Sequence, residues 1–161
     1  MAAMTKLLLL FLMGHVGSAN GQECLPQNEN LKRFVLQQFR GVSYYISNDI
    51  YTTDDAAAKM CETICGYLAE VNSLVERNRL VSLMGNDDIG FLIGGTDKYR
   101  EGYWEYARNR KPVEYLQWFY NEPNDYDGNE DCMCLLKVSV GFLDCPCARR
   151  LWELKYVCEV D

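Results

Sequence analysis

Histidine is nearly missing. The 161-residue chain has one, His15, and it lies in a segment that reads as a removable leader. A mature chain without imidazole has no Ser-His-Asp triad, no Cys-His dyad and no histidine zinc site. Basic charge is also scarce, with 16 Lys and Arg against 23 Asp and Glu and a net charge of −7. Losing the leader removes Lys6 and makes the acidic excess one larger. Binding to a phosphate backbone needs a basic face, so nucleic acid is not an expected partner. Beyond the leader no apolar run approaches the roughly 18 residues of a membrane span, so no transmembrane segment is expected. There is no Asn-x-Ser/Thr sequon, and N-glycosylation is not expected.

What is present points outside the cell. Residues 1–21 combine Lys6, an apolar run over 7–13 and the small residues Ser18, Ala19 and Gly21, the pattern of a signal peptide. A secreted, extracellular protein is the expectation. The remaining length suits one domain. All eight cysteines (24, 61, 65, 132, 134, 145, 147, 158) follow the leader, and an even number in a secreted domain reads as disulfides.

Several elements are legible in order. In the N-terminal segment 22–40, Leu31, Phe34, Val35, Gln38 and Phe39 recur at helical spacing, which suggests a short neck helix. Residues 41–47 read as a strand. Thr53 can cap a helix over 54–65 with acids in its first turn. Ser73 and Glu76 form a capping box for a second helix reaching about residue 84. Short strands are expected over 91–94, 103–106, 135–140 and 151–157. Two helices followed by short strands describe an α+β domain.

The segment Asn121-Glu122-Pro123-Asn124-Asp125-Tyr126-Asp127-Gly128-Asn129-Glu130-Asp131-Cys132 cannot bury itself and is a loop. Its carboxylates and amides are the oxygen donors that hard cations take. Without a cation, two like charges about 4 Å apart repel by roughly 4 kcal/mol at a surface-like dielectric. A solvated loop with splayed charges is the plain alternative.

From 41 to 159 the chain resembles a C-type lectin domain. The matching residues are Tyr44-Tyr45-Ile46-Ser47, Ala57 with Cys61, Gly66-x-Leu68-Ala69, Gly94-x-Thr96-Asp97 with Glu101-Gly102, and Trp118. They continue through Glu122-Pro123-Asn124, Glu130-Asp131-Cys132 and Cys147 with Val157-Cys158-Glu159. The resemblance implies a double-loop α+β fold over 41–161, with two helices, short antiparallel strands and a long calcium-binding loop. It also implies bridges Cys61–Cys158 and Cys132–Cys147. Opposed residues in an antiparallel pair keep a constant sum of positions, and Cys134 with Cys145 shares the sum of Cys132 with Cys147. A Cys134–Cys145 bridge beside the family bridge is therefore expected if those strands pair directly. Cys24 and Cys65 are left to join each other or to link separate chains.

By the same resemblance, Asp97, Glu101, Asp125, Glu130 and Asp131 match an auxiliary Ca2+ site, bringing acids from two distant segments together. Glu122, Asn124, Glu130 and Asp144 match the sugar-contacting calcium site, in the mannose, fucose and N-acetylglucosamine order. Leu143 stands where that site has an asparagine ligand, and it offers no oxygen. The resemblance also suggests a cis peptide before Pro123. Trp104, Trp118 and Trp152 are expected in the core, while Tyr126 is placed to meet a second sugar ring.

Three functions compete. The first is calcium-dependent binding of mannose-type glycans or glycoproteins, in innate recognition, useful through multivalency in an oligomer. The second is a lectin-like domain with a degenerate sugar site that binds protein or mineral, its calcium structural. An enzyme with paired carboxylates fares worst, because the calcium pattern already claims those acids.

Overall fold

The computed structural model describes residues 24, 26, 28–86, 88–148 and 153–161; the leader and Trp152 lie outside the described residues. After a single helical turn, α1 (Asn28–Leu31), the chain runs into strand β1 (Phe34–Phe39) and back along β2 (Val42–Ser47). The neck helix suggested by the spacing of Leu31, Phe34, Val35, Gln38 and Phe39 is thus replaced by a hairpin. Its turn, Arg40-Gly41, has φ of 52° and 86°, the two-residue left-handed turn whose twist matches its strands. Pairing runs from Phe39↔Val42 to Phe34↔Ser47. The tight turn brings β2 within reach, and ladder bonds then outweigh a helical period in a Phe- and Val-containing stretch.

Helix α2 (Asp54–Glu62) starts where Ala56 N–H donates to Thr53 Oγ1 at 3.1 Å. Helix α3 (Leu74–Ser82) is capped twice: Glu76 N–H donates to Ser73 Oγ, and Glu76 Oε2 accepts from Asn72 N–H. Between them lies the two-residue strand β3 (Tyr67–Leu68). Strands β4 (Gly90–Thr96), β5 (Glu105–Tyr106), β6 (Cys132–Leu136), β7 (Phe142–Cys145) and β8 (Lys155–Val160) follow. The sheet order is β1-β2-β8-β4-β6-β7, with β3 on β8 and β5 on β4. Helices beside a mixed sheet make this an α+β fold, the class that the resemblance implies. The strand expected over 135–140 is instead a hairpin, whose turn leaves Val138 and Val140 exposed. Gly141 closes that turn, where a Cβ would lie 2.3 Å from Phe119 N.

Three disulfides fasten this frame. Cys61–Cys158 ties α2 to β8 across 97 residues, worth about 4–5 kcal/mol in the chain-entropy model. Cys132–Cys147 closes the inner loop, and Cys24–Cys65 holds the N-terminal segment within the same chain. The expected Cys134–Cys145 bridge is absent: both are buried thiols. The reason is register. In the β6–β7 ladder Cys132 faces Cys145 and Cys134 faces Leu143, two positions away from the alignment in which Cys132 would face Cys147. Cys147 lies past the end of β7, beyond Pro146, and bridges to Cys132 from off the ladder. Cys134 and Cys145 become diagonal neighbours on one face of the sheet, a longer separation than directly opposed residues have.

Candidate functional site

Two strand ends and one long loop carry the acids. At the end of β4, Thr96 Oγ1 and Asp97 N–H both donate to the carbonyl of Asp131, at 2.7 and 3.2 Å. This clamp joins segments 34 residues apart in sequence. Beyond Asp97 the chain turns back on itself: Arg100 N–H donates to the Asp97 carbonyl at 2.8 Å and Gly102 N–H to Asp97 Oδ2 at 2.9 Å. Gly102 has φ of 73°, a conformation that favours glycine. The turn lays Glu101 beside Asp97, and carboxylate oxygens of Asp97, Glu101 and Asp131 lie within 4.8 Å of one another. Asp97 is 3% exposed, and its Oδ1 has no hydrogen-bond partner. Burial, with Glu101 and Asp131 adding repulsion, pushes its carboxyl up to about 6.

The second group hangs from β7. Asp144, 2% exposed, accepts the backbone N–H of Asn124 at 2.8 Å and of Asp125 at 2.6 Å through Oδ2. These bonds tie the loop to β7. Its backbone is irregular: the Glu122–Pro123 peptide is cis, and Asn121, Asp125 and Asp127 have positive φ, which Asn and Asp tolerate better than most residues. Asn124 Nδ2 donates to Glu122 Oε2 at 2.6 Å, Glu130 Oε2 accepts from Tyr126 N–H at 3.2 Å, and Asp125 Oδ1 accepts from Glu130 N–H at 3.2 Å. Burial, with the Asp144 carboxylate, pushes Glu122 up to about 7. Glu130 is raised by burial and by Asp144, Asp125 and Asp127. Asp144 Oδ1 is buried without a partner.

The eight candidate ligands therefore form two groups. Asp97 and Glu101 meet Asp131, and Asp125 and Glu130 are linked by hydrogen bonds and cavity lining to Glu122, Asn124 and Asp144. Among the described residues, the three acids of the first group are the carboxylates that cluster within 4.8 Å. Asp54 also approaches Cys132 and Cys147, but those sulfurs form a disulfide. In each group a buried carboxylate oxygen lacks any donor, at Asp97 and at Asp144. A cation supplies what is missing there, so the residues fit one.

A cavity of about 390 Å3 opens beside Glu122, Asn124, Glu130 and Asp144. Tyr51, Leu136 and Pro146 line it too, as does Leu143, which is 6% exposed. Sequence reasoning missed Tyr51, Leu136 and Pro146, since nothing in an isolated apolar residue marks it as a cavity wall. Trp104 is in the core, edge-on to the half-buried Trp118 at 4.7 Å, and Tyr126 is 68% exposed at the loop.

The Lectin C-type domain model matches residues 51–160, and the chain belongs to the C-type lectin domain family. Domains of this family bind carbohydrate, are not enzymes and generally bind Ca2+. A salivary C-type lectin 2 of Aedes albopictus is 28% identical over 166 residues, covering 96% of this chain and 97% of that protein. The carbohydrate-recognition domain of the mouse scavenger receptor C-type lectin has a TM-score of 0.69 at 24% identity, over 78% of this chain and 93% of that one. A calcium-independent type II antifreeze protein shares the fold, with a TM-score of 0.65 at 24% identity over 77% and 89% of the two chains. Among the described residues no helix is long and apolar enough to cross a membrane.

Proposed function

We propose that this chain is a secreted, calcium-dependent lectin for sugars of the mannose, fucose and N-acetylglucosamine type, acting in innate recognition of glycans. Residues 1–21 are its leader, and 22–40 precede a lectin domain over 41–161. The observation that carries the calcium reading is the pair of buried, donor-less carboxylate oxygens at Asp97 and Asp144. Asp97, Glu101 and Asp131 would hold one ion. Glu122, Asn124, Glu130 and Asp144 would hold another, with Asp125 beside them. A bound ion supplies coordination for a pair of neighbouring sugar hydroxyls. Glu122 and Glu130 accept the hydroxyl protons, Asn124 donates to a hydroxyl lone pair, and Asp144 holds the loop in register through the two backbone amides.

A second reading is favoured by one residue. Leu143 removes an oxygen from the second group, and a domain with that site weakened would use calcium to order the loop while meeting protein or mineral. Thermal melting and affinity chromatography decide between them. Millimolar calcium should raise Tm, with about 2.7 kcal/mol of stabilisation at a hundredfold excess over Kd; no shift counts against both ions. Retention on mannose- or N-acetylglucosamine-agarose that chelator abolishes supports the lectin. A calcium shift without retention supports the second reading.

A further inference from the structure

The sheet ends in two unlike edges. On β7, Phe142 N–H donates to the Gln117 carbonyl and the Phe142 carbonyl accepts from Phe119 N–H, both at 2.8 Å. Residues 117–119 thus cover that edge. At the other end β1, among the described residues, pairs with β2 alone. Asn48 N–H donates to the Arg33 carbonyl at 2.8 Å, and bonding positions alternate along an antiparallel pair. Arg33, Val35, Gln37 and Phe39 therefore turn their backbone groups toward β2, and those of Phe34, Leu36 and Gln38 face outward. Natural edges are blunted by charge, proline, a bulge or a covering segment. The β1 sequence Phe-Val-Leu-Gln-Gln-Phe holds neither charge nor proline, and its register with β2 is unbroken. Val35 and Leu36, on opposite faces, are 48% and 47% exposed. A net charge of −7 makes two copies of the chain repel, and a neutral strand is where they approach with least resistance.

We infer that β1 pairs with β1 of a second copy, antiparallel about a two-fold axis at Leu36, and carries the sheet from one copy into the next. In that register Leu36 faces the partner's Leu36 and Phe34 faces the partner's Gln38. Every outward N–H and C=O is then matched, two bonds per facing pair. Facing residues share a side of the sheet, so the two leucines meet on one side and Val35 lies against the partner's Gln37 on the other. The pairing closes the free edge, and β7 is already covered, so assembly stops at two copies. Neither acid group takes part, and the dimer needs no calcium. On the lectin reading it presents two sites together, but the pairing does not rest on that reading.

The test is sedimentation equilibrium of the full chain from micromolar to submillimolar concentration, in calcium and in chelator. A twofold rise in mass is expected in both. Leu36→Lys sets two like charges directly opposite each other and should weaken the dimer about tenfold or more. Leu36→Pro removes an outward N–H and leaves the β1–β2 ladder whole, and it should weaken the dimer as well. Leu36→Cys should cross-link the copies under mild oxidation, because facing Cα atoms of a bonded pair lie about 5.5 Å apart and a disulfide spans roughly 4.4–6.8 Å. Val35→Cys, two positions out of register with its own copy, should not. Hydrogen exchange of the native chain needs no variant: the Leu36 and Gln38 amides should slow as concentration rises. A chain that stays monomeric throughout, with exchange independent of concentration, overturns the inference and leaves the edge to a strand of another partner. A dimer indifferent to Leu36→Lys, with no Leu36→Cys cross-link, places the interface elsewhere and overturns it too.

Discussion

The two acid groups contain similar chemistry on different supports. Asp97, Glu101 and Asp131 sit where β4 ends and the chain enters β6, with two hydrogen bonds to the Asp131 carbonyl locking the segments together. Glu122, Asn124, Asp125 and Glu130 sit on a loop that Asp144 of β7 holds through two backbone amides. Both groups contain a buried oxygen without a donor. The second also borders a cavity with an apolar wall. A buried carboxylate oxygen without a donor is what makes each group fit a cation, and the cavity beside the second group sets it apart from the first. On the proposed reading, the first group would be rigid with its ion, and the second would be shaped by its ion and then read by a ligand.

Removing the central acid of each group should separate those roles, with the larger effect in the second. Asp144→Ala deprives two backbone N–H groups of a charged acceptor, and such bonds are worth about 1.5–3 kcal/mol each. Relief of repulsion returns part of this, so a loss of about 2–4 kcal/mol is expected, roughly 5–15 °C in Tm for a chain of this size. Asp97→Ala deprives one N–H, that of Gly102, and should cost about half as much. Melting both variants in chelator checks the order. In calcium, Asp144→Ala should lose sugar binding while keeping a calcium-induced rise in Tm from the first group. Equal losses from the two variants would erase the contrast drawn between their supports.

A second, smaller contrast is in pH. Asp97 is raised to about 6 and Glu122 to about 7, above their ordinary values of 3.8 and 4.5. The folded chain thus binds protons more tightly than the unfolded one at these groups. Their stabilising effect is complete below about pH 4 and disappears as pH rises through 6 to 7. Glu159 behaves likewise, pushed to about 7 chiefly by burial, but it lies in neither group, with Glu70 N–H donating to it at 2.9 Å. In chelator, Tm should fall by several degrees between pH 5 and pH 8. Calcium should suppress the part of the fall due to Asp97 and Glu122, and Glu159→Gln should reduce the remainder, which it shares with Glu70, also raised by burial. A calcium-insensitive fall would detach the acid groups from the ion.

Much of this was visible in the chain itself. Thr53, Ser73 and Glu76 announce their helices through local chemistry, and the Glu122-Pro123-Asn124 and Glu130-Asp131 motifs announce the loop. The partition of the acids was not visible. Glu130 and Asp131 are adjacent in sequence, yet Glu130 lines the cavity with Asp144 while Asp131 meets Asp97 and Glu101. Hairpin β1–β2 was hidden for a related reason. A helical period in Leu31, Phe34, Val35, Gln38 and Phe39 is fortuitous once Arg40-Gly41 folds the segment onto β2. The cavity wall drew Tyr51, Leu136, Leu143 and Pro146 from three separate stretches, and only the fold brings them together.

The smallest predicted effect concerns what underlies the second group. On β6, Cys132, Cys134 and Leu136 share a face, and on β7 Leu143 and Cys145 share it, so the two thiols belong to the same apolar layer as the cavity wall. Burial, with the neighbouring Cys134, pushes the Cys145 thiol well above its usual value, which withholds the reactive thiolate. Iodoacetamide should therefore add nothing to the native chain and two adducts after denaturation without reductant, as read by intact mass. Cys134→Ala should lower stability by only about 1 kcal/mol and leave calcium binding unchanged, since its thiol is not among the candidate ligands. A denatured chain with no free thiol would show that Cys134 and Cys145 do bridge, pulling β7 toward the register inferred from the cysteine spacing. Leu143 would then shift against Cys134, and the apolar side of the cavity would move with it.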